Sequence, residues 1–255
     1  MARGTPVTNR HRLLGDEQCA SVHAGSCALL ENVGVTLEHE KAIRIFRNGG
    51  AIYEDGRMKI PRSMVEKALE STATRIVLQA RNPENAVVVD PRNEPLVHFG
   101  TGGQALNVLH WQDGSFVSKP AVTDDLRDIL RIGERLPNVD FITRPVEPDV
   151  AENEMDLVKT RMFMRYTTKH MNLANLVQVD KLDEVLAAVE DPARVSFISC
   201  LLVSPLTMVT KTVEKFIRLV EEDLAVSISS CPQSGATAPL SEIGSVVQVT
   251  AEVLS

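Results

Sequence analysis

The sequence predicts an α/β fold in which short strands and helices alternate along the chain. From Thr123 onward, helical patterns of apolar residues alternate regularly with short apolar runs, as in consecutive β/α units. These runs are short, mostly apolar and show little regular alternation of polar and apolar residues, which is typical of strands buried on both faces. Right-handed crossovers between such strands produce a parallel sheet.

Residues 1–95 precede this alternation and divide into two predicted parts. Residues 1–15 are polar and basic, which predicts a loose arm. Residues 16–95 are expected to form a helical lead-in with short β segments, because apolar residues there recur at helical spacing. Gly34 would end the first helix and Pro61 would begin the third. The expected helices cover residues 16–33, 38–47 and 62–70. Residues 56–60 are expected to form a short strand or turn, and short strands are expected at 76–80 and 86–89.

Residues 96–255 form the third predicted part, an incomplete β/α barrel. Its first strand, 96–99, leads into a glycine-rich segment, and Asp113-Gly114 predicts a hairpin between residues 106 and 118. Four further strands are expected at 139–143, 171–176, 195–202 and 225–229. The helices between and after them are expected at 124–136, 155–168, 182–189, 208–222 and from Leu240 onward.

The number of units leaves two architectures open. A (β/α)8 barrel of the TIM type needs eight units in about 250 residues. An open doubly wound sheet is complete with five. Two features favour a TIM-type barrel truncated after about five β/α units. The sequence stops within a helical pattern, and Gly100-x-Gly-Gly103 lacks the third glycine of the Rossmann fingerprint.

Composition and charge exclude several classes of protein. The net charge is −7 and no Lys/Arg cluster stands out, which argues against nucleic acid as a partner. No apolar run approaches the ~20 residues of a membrane helix. The N-terminus lacks the apolar core of a signal peptide, so a cytoplasmic location is expected. The four cysteines form no CxxC pair and the six histidines no HxH or HExxH pair, so no metal site is expected.

Barrel topology predicts where ligand-binding residues lie, because the loops after the strands gather on one face. The glycines there could make turns or allow close approach of a ligand. Arg144 could pair with Glu147 or Asp149, or it could hold an anion. Asn172 and Asn175 could satisfy loop backbone groups instead. His98 is expected to be a core histidine, and no catalytic residue can be assigned. The candidate substrate-binding residues are Gly102, Gly103, Gln104, Arg144, Glu147, Asn172, Asn175, Cys231, Gly235 and Thr237.

Several motifs point to a known family. From about residue 16 the chain resembles the N-terminal half of a trimethylamine methyltransferase family protein. The motif between Cys231 and Pro239 is the most specific of those that carry the resemblance. They are Leu29-Leu-Glu-Asn-Val-Gly-Val35, Ile60-Pro-Arg-Ser-Met-Val-Glu-Lys-Ala-Leu69, Phe99-Gly-Thr-Gly-Gly-Gln-Ala-Leu106, Pro120-Ala-x-x-Asp-Asp-Leu126, Leu136-Pro-Asn-Val-Asp140, Cys231-Pro-x-x-Gly-Ala-Thr-Ala-Pro239 and Ala251-Glu-Val-Leu254.

The resemblance implies a TIM barrel that passes a methyl group from a methylated or quaternary amine to the cobalt of a separate corrinoid protein. It implies no directly bound cofactor, since the methylcobalamin or corrinoid is carried by the partner, and a homo-oligomer at full length. A cationic substrate would suit Glu147 on charge alone. Family members that act on trimethylamine carry pyrrolysine at a position that would lie beyond Ser255, and others use substrates such as glycine betaine.

Two other functions remain open at this point. The chain could be a non-catalytic barrel relative that binds a small cation or docks a corrinoid protein. It could also be an unrelated five-stranded α/β enzyme that is complete at Ser255.

Overall fold

A computed structural model describes residues 4–6, 12–90 and 96–255. The described residues contain eight α-helices: α1 (Asp16–Asn32), α2 (Glu40–Asn48), α3 (Arg62–Ser71), α4 (Thr123–Arg135), α5 (Glu152–Tyr166), α6 (Leu182–Val189), α7 (Thr210–Glu221) and α8 (Glu242–Leu254). The strands are β1 (Thr5–Pro6), β2 (Val35–Thr36), β3 (Ile52–Glu54), β4 (Arg57–Lys59), β5 (Ile76–Leu78), β6 (Val87–Val89), β7 (Leu96–Val97), β8 (Asn107–Gln112), β9 (Ser115–Pro120), β10 (Phe141–Thr143), β11 (His170–Asn172), β12 (Val195–Ser199), β13 (Leu202–Val203), β14 (Thr207–Met208) and β15 (Ala225–Ile228).

The chain forms two compact units. The first unit comprises Met1–Thr8, Thr74–Ile198 and Leu219–Ser227, and the second comprises Asn9–Ala73, Ser199–Arg218 and Ile228–Ser255. This partition differs from the sequence-based division into residues 1–15, 16–95 and 96–255. The difference arises because two later segments of the chain pack with the N-terminal helices.

The first unit is built on a parallel sheet whose strands are neighbours in the order of the sequence, β10-β11-β12-β15. Phe141 pairs with His170 and Met171 with Val195, both in parallel register. Gly100 forms a parallel bridge to Phe141, which continues the same order on the other side of β10. The predicted α/β class with consecutive parallel strands is thereby confirmed. The strands of the described residues do not close into a barrel, and closure stays a prediction.

Helices α4, α5 and α6 pack side by side in this unit. Their apolar faces and the strands form one core, in which Leu126, Leu130, Phe163, Val185 and Phe197 have no exposed surface. Burial of apolar surface is the main favourable term in folding, so this core holds the carboxyl ends of the strands in place.

The second unit contains a five-stranded mixed sheet of order β13-β14-β2-β4-β3. Strand β14 pairs with β2 in parallel at Thr207 and Thr36, and the other neighbours are antiparallel. Gly34 has a positive φ of 71°, and a Cβ there would lie 2.3 Å from the Met58 carbonyl oxygen. Only glycine therefore allows β2 to approach β4 at this point. Helix α1 packs on α8 and on α3.

Some predicted elements are shorter than expected. The predicted strand at 171–176 ends at Asn172, and Ala174 follows with a positive φ of 54°. The predicted strand at 195–202 ends at Ser199. Leu201 and Leu202 do not extend the parallel sheet. They lie in the core of the second unit instead, which accounts for the apolar run beyond Ser199.

Two other predictions concern the N-terminal arm and the absence of membrane-spanning helices. Thr5–Pro6 of the predicted loose arm pairs with Leu96–Val97, whereas residues 1–3 and 7–11 of the arm lie outside the described residues. No helix in the described part of the chain combines the length and the apolar character required to span a membrane.

Candidate functional site at the carboxyl ends of the parallel strands

Arg144 is the centre of a polar cluster that lies directly after β10. Its Nη2 donates to Gln104 Oε1 at 2.6 Å, and its Nη1 forms an ion pair with Glu147 Oε1. Nη1 also lies 3.4 Å from the Asn175 carbonyl oxygen. The residue is only 4% exposed. We call Gln104, Arg144, Glu147 and Asn175 the Arg144 cluster. Because they follow β7, β10 and β11, the structure brings together four residues predicted to lie on one face.

Two buried atoms of this cluster have no hydrogen-bond partner within the described residues. Both ends of the Gln104 amide are hydrogen-bonded within the cluster, since Nε2 donates to Glu147 Oε1 at 3.2 Å while Oε1 accepts from Arg144. Arg144 Nε and Glu147 Oε2 remain buried and unpartnered. A buried polar atom without a partner costs about 1–3 kcal/mol, so such atoms are candidates for contact with a ligand. One is a donor and the other an acceptor.

A second buried ion pair supports the cluster from α5. Asp156 accepts from the backbone N–H groups of Val177 at 2.9 Å and Gln178 at 3.0 Å, and Lys159 Nζ donates to it at 2.8 Å. Burial lowers the pKa of Arg144, and the negative charges of Glu147 and Asp156 oppose that shift. Burial also lowers the pKa of Lys159, against the attraction of Asp156. The positive charges of Arg144 and Lys159 thus offset the negative charges of Glu147 and Asp156 at this edge of the sheet.

The glycines of the segment after β7 have different roles. A Cβ on Gly103 would lie 2.0 Å from the Arg144 carbonyl oxygen, so the backbones approach too closely for any other residue. A Cβ on Gly102 would meet nothing within 4 Å. Gly103 is therefore required by packing, whereas a side chain at Gly102 would face open space.

Asn172 satisfies backbone groups, which is the structural alternative that the sequence left open. Its Oδ1 accepts from Ala174 N at 2.9 Å, and its Nδ2 donates to Ser196 Oγ at 3.1 Å. Asn175 contributes its carbonyl oxygen to the cluster, and the residue is exposed. Asn172 also contacts Arg144 through its backbone, since the Asn172 carbonyl oxygen accepts from Arg144 N at 3.0 Å.

His170 is a buried residue of β11 that sequence reasoning did not select for the site. Its Nδ1 lies 2.7 Å from the Gln79 carbonyl oxygen and its Nε2 lies 2.8 Å from Ser196 Oγ. A carbonyl only accepts, so Nδ1 carries the proton and Nε2 accepts from the Ser196 hydroxyl. Burial lowers the pKa of His170 to about 4, despite the bond to Gln79, so the imidazole is neutral at pH 7.

His98, predicted to be a core histidine, is confirmed as one. Its Nδ1 lies 3.1 Å from Asp140 Oδ2 and its Nε2 lies 3.1 Å from the Val88 carbonyl oxygen. Both ring nitrogens are used, and the side chain is 9% exposed.

The remaining predicted site residues, Cys231, Gly235 and Thr237, belong to the second unit. They lie in a turn that closes on itself, since Thr237 Oγ1 accepts from Gln233 N at 2.8 Å. Gly235 has a positive φ of 80°, which favours glycine, and Cys231 is exposed. Their role as substrate contacts stays a prediction.

Glu252, at the end of α8, is a second buried group that the sequence did not reveal as important. Its carboxylate accepts from Leu206 N at 3.0 Å, from Ser204 Oγ at 2.7 Å and from the Ser230 hydroxyl. Gln248 Nε2 donates to Glu252 Oε1 at 3.0 Å and to the Thr237 carbonyl oxygen at 2.8 Å. Burial alone would raise the pKa of Glu252, but these hydrogen bonds outweigh it and hold the pKa below its ordinary value.

Comparison with known proteins identifies the family. The family model described as trimethylamine methyltransferase (MTTB) matches residues 3–255. A relative from Desulfitobacterium hafniense named trimethylamine methyltransferase MttB is 27% identical over 250 residues, which cover 94% of this chain and 49% of the relative. A relative of the same name from Methanosarcina thermophila is 28% identical, with 95% and 53% covered.

A third relative is named for a different substrate. The glycine betaine methyltransferase of Desulfitobacterium hafniense is 24% identical over 272 residues, which cover 96% of this chain and 52% of the relative. The chain thus spans about half the length of the curated relatives it matches. Because the family model covers almost every residue, the chain belongs to the trimethylamine methyltransferase family.

Proposed function

We propose that this chain is the N-terminal portion of a methyltransferase that moves a methyl group from a small methylated amine to the cobalt of a corrinoid protein. The observation that carries the proposal is the unpartnered, buried Glu147 Oε2 in the Arg144 cluster. It lies after a parallel strand, where β/α enzymes keep their sites. Family membership supports the reaction class.

In this proposal Glu147 attracts the cationic nitrogen of the substrate. A carboxylate and an ammonium about 4 Å apart attract each other by about 4 kcal/mol at the effective dielectric of a site near a protein surface. The ion pair with Arg144 and the hydrogen bond from Gln104 fix the position of the carboxylate. The open space beside Gly102 provides room for methyl groups.

The task of the protein is to hold the amine so that one methyl group faces the partner. Holding two reactants in the reactive geometry removes a large part of the entropic barrier. The reduced corrinoid, held by the partner protein, would supply the nucleophile that accepts the methyl group, and the demethylated amine would leave with the electron pair of the broken carbon–nitrogen bond. At the polar edge of the sheet, Arg144 is paired with Glu147 and Lys159 with Asp156.

The finer parts of the proposal rest on the resemblance. They are a TIM barrel closed by further β/α units of a longer chain, a cytoplasmic location and self-association at full length. The corrinoid is proposed to belong to the partner and not to this chain.

The test is a methyl-transfer assay with the full-length protein, reduced corrinoid protein, and either trimethylamine or glycine betaine. We expect transfer only when the corrinoid protein is present. Glu147→Gln is expected to lower kcat/KM by about 10- to 100-fold, since it removes one charge next to the substrate. Glu154→Gln, an exposed glutamate in the first turn of α5, is the matched control and is expected to retain activity.

Two results would overturn the proposal. Methyl release without corrinoid would exclude the reaction class. Binding of methylated amines without any transfer would favour the alternative of a non-catalytic relative that binds a small cation.

A further inference from the structure

Three potential metal ligands converge in the second unit, within the part of the chain described and apart from the Arg144 cluster. His23 and Cys27 lie one turn apart on α1, and Glu66 comes from α3. His23 Nε2 lies 2.9 Å from Glu66 Oε1 and 3.6 Å from Cys27 Sγ. All three ligand atoms lie within 4.8 Å of one another. The same ring nitrogen thus faces both a sulfur and a carboxylate oxygen.

These distances suit a tetrahedral zinc ion. Zinc binds sulfur at about 2.3 Å and imidazole nitrogen at about 2.0–2.1 Å, which places the two ligand atoms about 3.5–3.6 Å apart at a tetrahedral angle. The Sγ–Nε2 separation of 3.6 Å already has this value. A zinc-bound carboxylate oxygen would lie about 3.4 Å from the nitrogen, so Glu66 would have to retreat by about 0.5 Å. Its side chain is 41% exposed and has room to do so.

We propose that His23, Cys27 and Glu66 bind a divalent ion of the zinc class, with water as the fourth ligand. Cysteine, histidine and carboxylate together favour zinc over magnesium or calcium, which prefer oxygen ligands. The ion would join α1 to α3 and so cross-link two helices of the second unit. The proposal does not depend on the proposed methyl transfer.

Two neighbouring interactions must change when the ion binds. Arg62 Nε donates to Glu66 Oε1 at 3.1 Å, and the exposed Arg62 side chain must release the Glu66 carboxylate. The Cys27 thiol, whose residue is 1% exposed, must lose its proton. Burial raises the pKa of Cys27, and the charge of Arg62 opposes that rise. Replacement of a proton by the metal is therefore part of binding.

The sequence alone could not indicate this site. His23 and Cys27 have a helical spacing of four residues, but the third ligand comes from a different helix. Their convergence follows from the packing of α1 on α3.

The test uses the full-length protein, freed of metal with a chelator and titrated with Zn²⁺ or with Co²⁺ as a spectroscopic probe. A cobalt–thiolate bond gives a charge-transfer band in the near ultraviolet. We expect this band in the parent protein and its loss in Cys27→Ser. Glu66→Gln should keep the band but weaken metal affinity by about 10-fold or more. Cys19→Ser, which changes an exposed cysteine of the same helix, is the control and should bind like the parent.

The proposal is overturned if the parent shows no cobalt–thiolate band, or if Cys27→Ser keeps it. Circular dichroism of each variant verifies folding. If Cys27→Ser fails to fold, Glu66→Gln still tests the proposal, because Glu66 is partly exposed and its replacement should not disturb folding. An unchanged metal affinity in Glu66→Gln would contradict the role of Glu66 as a ligand.

Discussion

The two units of the molecule are built in different ways. In the first unit, the strands of the parallel sheet are neighbours in chain order, and only β13 and β14 of the second unit intervene, between β12 and β15. In the second unit, the sheet combines β2, β3 and β4 with β13 and β14 from a distant part of the sequence. Local periodicity is therefore enough to predict the first arrangement. The second depends on long-range pairing, which leaves little trace in any one segment.

The largest effect is expected at Glu252, which holds distant segments of the second unit together. Glu252→Ala would leave Leu206 N and the hydroxyls of Ser204 and Ser230 without their acceptor. We expect the free energy of unfolding to fall by about 3–5 kcal/mol. Denaturant titration measures it. Glu242→Gln, in the exposed first turn of α8, is the control, with an expected loss of under about 1 kcal/mol. Equal losses in both variants would contradict this role.

Matched leucines compare the two cores directly. Leu130 in α4 and Leu30 in α1 are both 0% exposed, one in each unit. Each change to alanine is expected to cost about 2–5 kcal/mol, because it leaves a cavity. Hydrogen exchange should then rise in the parallel sheet for Leu130→Ala and in the five-stranded sheet for Leu30→Ala. Uniform loss of protection in both variants would contradict the division into two units.

A smaller effect is expected from alanine at Gly103. The added methyl group would collide with the Arg144 carbonyl oxygen, so we expect a loss of about 1–3 kcal/mol. Gly102→Ala is the matched neighbour, and open space predicts a change within about 0.5 kcal/mol. Thermal unfolding of the two variants provides the measurement. A stable Gly103→Ala protein would mean that the backbones do not approach so closely.

The last effect is a pH dependence that arises from His170 and develops only below about pH 6.5. Its pKa of about 4 in the folded state lies below the ordinary value of 6.5, so the unfolded chain binds more protons between these values. Stability should therefore fall as the pH drops from 6.5 towards 4, by up to about 1.4 kcal/mol per pH unit from this group. His170→Asn should reduce that slope. An unchanged slope would show that His170 does not make this contribution.

How much of the candidate site the sequence predicts depends on the same difference between local and long-range contacts. The pairing of Arg144 with Glu147 was one of its alternatives, because the two residues are close in sequence. Gln104 and Asn175 join them because parallel strands bring successive loops together. Asp156, Lys159 and Glu252 were missed. A charged residue in a helix is normally exposed, and only its partners in three dimensions reveal that it is buried.

The elements of the second unit show the same limit. Its helices were predicted near their observed positions, at Asp16–Asn32, Glu40–Asn48 and Arg62–Ser71. The two-residue strands β2, β13 and β14 were not, because so short a run has no periodicity to detect. They form because Thr36 and Thr207 meet in the folded chain.

The most direct test of the proposed site is a crystal structure of the full-length protein with a bound methylated amine, either trimethylamine or glycine betaine. The account predicts the nitrogen about 4–6 Å from the Glu147 carboxylate, on the side left open by Gly102. An amine bound with clear density elsewhere, and with Glu147 Oε2 still unpartnered, would contradict the assignment of the Arg144 cluster as the substrate site.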